Sequence, residues 1–305
     1  MAEGAVQPVF DGHNDALTRE DHAAIVAGRS GGHVDLPRMR AGGMRGGIFA
    51  VFTPSARERK RPSRRRGVVE FELAPPVGQR KAAAHASEVA GRLLALERAG
   101  EVRVARDIGD VDAARDGGLP AAVLHLEGAE AIDPGLEALD LWRGAGLRSL
   151  GPVWSRPNAF GHGVPFAAPS SPDAGPGLTA AGKALVTRCS ELGIVVDLSH
   201  LNEAGFWDVA RLEPGPLVAS HSGAHALAAA SRNLTDAQLD AIGASGGLVG
   251  IVFACAFLRA DCADDADTPL GLIVEHARYV ADRIGVERVA LGSDFDGATI
   301  PAALG

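Results

Sequence analysis

The chain has 305 residues, 46% of them hydrophobic, with 39 glycines and a formal net charge of −8 at pH 7. The surplus of acids excludes a general affinity for nucleic acid, which rests on excess Lys and Arg, and the apolar content excludes a disordered chain. The length suits one α/β barrel, a fold that takes about 250 residues or more, so residues 1–305 are read as a single domain.

In chain order, short β-branched runs alternate with longer Ala/Leu-rich segments, the pattern of strand–helix units that feed a parallel sheet. The first two strands are read at Val9 to Gly12 and Gly46 to Phe52. The basic run Arg57 to Arg66 follows; its proline and polar neighbours mark it as a solvated, mobile loop rather than a nucleic-acid patch. A helix over Gln79 to Arg98 leads to the third strand, Ala121 to Leu126, and a helix over Gly135 to Ala145 leads to the fourth, Leu147 to Val153. Pro157 to Pro176 is rich in Pro, Gly and Ser and has no period, so it is a long loop of the kind that borders active sites.

A helix from Thr179 to Leu192 stops at Gly193, before the fifth strand, Ile194 to Ser199. A helix over Glu203 to Arg211 and the sixth strand, Leu217 to Ser220, come next. Thr235, with Gln238 three residues on, has the spacing of a capping box and opens a helix to Ala244. The seventh strand is Gly247 to Phe253, a helix covers Leu270 to Ile284, and the eighth strand is Val289 to Gly292. Eight strands is the number a closed (β/α)8 TIM barrel requires. The tail Ala298 to Gly305 is too short for a covering helix, so the expected barrel has its final C-terminal helix missing and would gain from a partner chain on that face.

Cys189, Cys255 and Cys262 are too few and too irregularly spaced for a disulfide framework. No apolar run reaches the roughly 20 residues of a membrane span, and the N-terminus lacks a basic region followed by an apolar core. The expected location is cytoplasmic.

Chemistry gathers at the strand ends. The first strand runs into His13 and Asp15, which alternation places on one side. The third ends at Glu127, the fifth at His200 and the sixth at His221; the two histidines are 21 residues apart, about one strand–helix repeat. Three imidazoles and two carboxylates at one mouth suit Zn2+ or a similar metal, and a shared carboxylate permits two ions. The eighth strand delivers Asp294 at its tip, in the place where such a fold presents an acid or base. Asp296, beside Gly297, is read as a turn former. His125 lies two residues before Glu127 and is read either as a support for the metal ligands or as a packed barrel residue.

The ordered segments Asp11-Gly-His-Asn-Asp15, Glu127-Gly, Asp197-Leu-Ser-His200, Ser220-His-Ser222, Ser231-Arg-Asn-Leu234 and Gly292-Ser-Asp-Phe-Asp-Gly297 resemble the membrane (renal) dipeptidase family, peptidase family M19, of the amidohydrolase superfamily. The resemblance implies a barrel of the metal-dependent hydrolase type with two divalent ions, Zn2+, that cleaves dipeptides, in some members with a D-residue at the C-terminal position. It implies that His13, Asp15 and Glu127 hold one ion and that Glu127, His200 and His221 hold the other. Asp294 becomes the general base and acid for a water activated between the metals, and Arg232 the anchor of the substrate carboxylate. Members of the family are commonly homodimers.

The sequence departs from the family at Trp154, which stands where a substrate-binding histidine is expected. An indole N–H can donate to an oxyanion but cannot gain charge. His162, eight residues on, is an alternative substrate contact; equally, Trp154 is an apolar wall and His162 an ordinary loop residue. Two further readings stay open: a hydrolase of another small amide or lactone, and an inactive metal-binding homologue.

Overall fold

Parallel pairing runs through β1 (Val9–Asn14), β2 (Met44–Phe52), β3 (Ala121–Glu127), β4 (Leu147–Gly151), β5 (Val195–Val196), β6 (Val218–Ser222), β7 (Leu248–Val252) and β8 (Val289–Gly292). In this computed structural model, which describes residues 7–304 apart from 56–62, 66, 72 and 213, the strands follow one another as β6-β7-β8-β1-β2-β3-β4-β5. The ladder is longest between β2 and β3, in register from Gly46↔Ala121 to Phe52↔Glu127. The seam between β5 and β6 has no strand ladder among the described residues: an isolated bridge, Asp197↔Val218, brings the two edges together, with Leu198 N donating to Val218 O at 2.8 Å. The result is a nearly closed eight-stranded barrel surrounded by helices.

The strand and helix positions expected from the pattern hold to within a few residues, with one exception. The fifth strand was expected to span Ile194 to Ser199, yet only Val195–Val196 pairs as strand. The reason is that Asp197 turns its carboxylate onto the backbone of the next strand, so a side chain takes over where ladder bonds would continue.

Close approach shapes the barrel around Ser220. A Cβ added at Gly12, Gly250 or Gly292 would run into the Ser220 carbonyl, so three strands keep glycine where they lean on β6. Outside the barrel, apolar stripes of the helices meet the strands in one buried cluster that extends from Ala16 to Val280. Thr235 and Gln238 form the reciprocal capping box expected from their spacing, and Thr179, which accepts from Gly182 N, caps a second helix. Helices at Leu36–Ala41 and Ile108–Arg115, each opened by an aspartate cap, were not read from the pattern.

Two loop readings need correction. In the basic run, Ser63–Arg65 forms a strand antiparallel to Val68–Glu70, while residues 57–62 and 66 lie outside the described residues. The segment from Pro157 to Pro176 is a loop in the main, but Ala167–Ala168 adds a third strand to that small sheet and Gly163 bridges to Leu201. Asn202 pins its far end by donating to the carbonyls of Ala174, Gly175 and Pro176. After β8 the described chain forms a short 3-10 turn, Ala302–Leu304.

Candidate metal centre

Every strand of the barrel runs the same way, so the residues that end β1, β3, β5, β6 and β8 meet at one mouth. His13, Asp15 and Glu127 present ligand atoms within 4.8 Å of one another, and so do Glu127, His200 and His221. Glu127 is common to both groups: its Oε1 lies 3.7 Å from His13 Nε2, 3.0 Å from His200 Nε2 and 3.6 Å from His221 Nε2. The five side chains expected to hold metal from the sequence therefore converge.

The donor set fits a divalent cation on its own chemistry. His13 is fully buried, and neither of its ring nitrogens has a hydrogen-bond partner, an arrangement that costs free energy unless something else takes the lone pair. Burial pushes Glu127 and Asp294 above the ordinary carboxylate range. For His13 burial opposes charge, but Glu127, Asp15 and Asp294 outweigh it and raise its pKa. Acids crowded in a water-poor space resist joint ionisation, and a bound cation reverses that balance. Nitrogen and carboxylate donors together suit Zn2+ or a similar first-row metal.

Asp294 stands at the edge of this set. Its amide donates to the His13 carbonyl at 3.0 Å, and with His13 and His221 it offers ligand atoms within 4.8 Å. It is partly exposed. His200, Asp294 and Asp296 all adopt positive φ, at 68°, 59° and 67°, a region that non-glycine residues seldom occupy and that clusters at functional sites.

Arg232 is 5% exposed, with Nη2 2.8 Å from His221 Nε2 and Nη1 donating to Ser222 Oγ at 3.1 Å. Burial lowers its pKa, and Asp197, Asp294 and Glu127 partly offset that. A guanidinium held beside the donor set fits an anionic end of a substrate.

Trp154 packs its indole 5.6 Å from the His200 ring and 4.9 Å from Phe52, with Phe166 edge-on at 5.6 Å. It belongs to an aromatic wall beside His200, one of the candidate donors. His162 pairs with Pro157 across the loop, and its Nδ1 is buried without a hydrogen-bond partner.

Several residues around the centre had no assigned role. Ser155 Oγ lies 2.8 Å from His200 Nδ1, and Ser220 Oγ lies 2.7 Å from His221 Nδ1. Asp197 accepts from Ser199 N at 3.0 Å, from Ser220 N at 2.8 Å and from Ser220 Oγ. Burial alone would raise its pKa; His125, the Ser220 hydroxyl and the two amides more than compensate and keep it a carboxylate. His125 is fully buried, 2.9 Å from Ser149 Oγ through Nδ1 and edge-on to His13 at 5.6 Å, which fits the reading of a packed barrel residue. Asp296 is more than a turn former: its fully buried carboxylate accepts from His33 N at 2.7 Å and pairs with Arg29 at 3.3 Å. The acidic strand tips were legible in the sequence, but the partners that fold back onto them were not.

A family model for the membrane dipeptidases, peptidase family M19, matches residues 5–304. A metallo peptidase from Rhodobacter sphaeroides, solved with a phosphinate mimic of the dipeptide L-Ala-D-Ala, is 46% identical; the match covers 98% of this chain and 89% of that one, with a TM-score of 0.92. The structure of dipeptidase AC, a metallo peptidase of family M19, is 47% identical over 98% of this chain and 88% of its own, with a TM-score of 0.91. Dipeptidase aclJ of Aspergillus oryzae is 29% identical over 95% of this chain and 67% of its own length. The match over nearly all of the chain makes it a member of the membrane dipeptidase family, peptidase family M19.

Proposed function

We propose that the chain is a zinc-dependent dipeptidase that binds two divalent ions through His13, Asp15, Glu127, His200 and His221, with Glu127 shared. The observation that carries this reading is the convergence of three Nε2 atoms on one carboxylate oxygen, all at 3.0–3.7 Å. Divalent metal at such a site lowers the pKa of a coordinated water and polarises the scissile carbonyl.

The remaining work falls to the chain's own residues. Arg232 receives the C-terminal carboxylate of the dipeptide, and its rigid fork orients the substrate. Asp294, whose pKa burial raises, accepts the proton of the attacking water and returns it to the leaving amine. The aromatic wall of Trp154, Phe52 and Phe166 excludes water from one flank. Trp154 takes the place of the family histidine as a packing residue, and His162 is the second candidate for substrate contact. The phosphinate mimic bound by the Rhodobacter sphaeroides relative makes L-Ala-D-Ala the first substrate to try.

Metal analysis combined with hydrolysis assays on L,L and L,D dipeptides tests this reading. Two equivalents of zinc and turnover of at least one dipeptide are expected; metal-loaded protein that cleaves none of them sinks it. Hydrolysis of another small amide or lactone instead would support the second reading. A homodimer is part of the proposal, and sedimentation would read it directly. Among the described residues no helix is long and apolar enough to cross a membrane.

A further inference from the structure

Behind His221 lies a pair of residues that takes no part in the chemistry above. Asp197, Ser220 and His221 are 1%, 3% and 2% exposed, so their hydrogen bonds are made to one another rather than to water. Ser220 Oγ sits within hydrogen-bonding distance of both Asp197 Oδ2 and His221 Nδ1.

We propose that Asp197 and Ser220 are positioning residues that hold His221 as the tautomer with its proton on Nδ1 and its lone pair on Nε2. A carboxylate only accepts, so the single hydroxyl hydrogen of Ser220 goes to Asp197 Oδ2. The hydrogen between Ser220 Oγ and His221 Nδ1 must then come from the imidazole. A separate contact agrees: Arg232 Nη2 lies 2.8 Å from His221 Nε2, and a guanidinium only donates, so Nε2 is an acceptor.

The relay is fixed at its far end. Asp197 Oδ1 accepts from the amides of Ser199 and Ser220 at 3.0 and 2.8 Å, the two sides of the thinnest seam of the barrel. Ser199 Oγ accepts from His221 N at 3.1 Å and so fixes the backbone of the histidine as well. One carboxylate thus joins β5 to β6 and sets which nitrogen of His221 carries the lone pair. Its use in metal binding rests on the proposed metal centre; the tautomer itself does not.

The polarity of the relay can be reversed. In Asp197→Asn the amide donates to Ser220 Oγ, the hydroxyl turns to His221 Nδ1, and the imidazole proton is driven to Nε2. Ser220→Ala removes the bridge and leaves Nδ1 without an acceptor. Nitrogen NMR of metal-free protein carrying 15N-labelled histidine reads the tautomer, with the His221 signal identified by its loss in His221→Asn. Metal titration and thermal unfolding of both variants accompany it.

The expected result is an Nδ1–H signal in the wild type and an Nε2–H signal in Asp197→Asn. In both variants affinity at one of two metal sites should fall about 10–100-fold while the other site is retained, and Ser220→Ala should remain folded. A wild-type proton on Nε2 overturns the relay, as does an unchanged tautomer in Asp197→Asn or unchanged metal affinity in Ser220→Ala. A wild type that binds no metal overturns the proposed function instead, and the NMR signal still decides the relay.

Discussion

At the residue scale, the shared position of Glu127 makes it the most sensitive donor. Glu127→Gln keeps the shape but removes the charge that three imidazoles face, and it should reduce bound metal below two equivalents, read by elemental analysis of dialysed protein. Asp294→Asn should leave metal content unchanged and lower kcat by about 10²–10⁴-fold, the range for loss of a positioned general acid–base group. Arg232→Lys keeps a charge but loses the fork; KM for dipeptides should rise on the order of tenfold or more, the worth of one charge-assisted hydrogen bond. Steady-state kinetics on one dipeptide separates the last two variants, since one acts on kcat and the other on KM.

At the scale of elements, much of the barrel was legible because its strands are short apolar runs punctuated by glycine and acids. Gln79–Arg98 was read to the residue, since a twenty-residue helix carries a strong period. Thr235 and Gln238 were read from spacing alone, and Thr235→Ala should cost about 1 kcal/mol of stability in denaturant unfolding. The fifth strand was overread because Asp197 and Ser199 continue its pattern while their side chains accept from Ser220 N and His221 N across the seam, a tertiary choice that periodicity does not encode. Asp296 was underread for a similar reason: its partners Arg29 and His33 are more than 260 residues away in sequence. The convergence of Asp294 and the five candidate donors was legible because each lies at a strand end or in the turn just after one, and a parallel barrel gathers those positions at one mouth by construction.

At the scale of the whole molecule, the barrel gathers its donor set at a cost in stability: residues from β1, β3 and β6, with the turns after β1 and β5, crowd acids and imidazoles at one mouth, and a bound cation would relieve that crowding. Metal removal should therefore lower the unfolding midpoint, and re-addition should restore it, because a ligand that binds only the folded state stabilises it. The most direct test of the central claim is the zinc dependence of dipeptide cleavage, with L-Ala-D-Ala as the first substrate. Chelator-stripped protein should be inactive and should regain hydrolysis as zinc is restored, reaching its maximum near two equivalents. Full activity in the stripped protein, or none at any zinc level on any dipeptide tried, would contradict it.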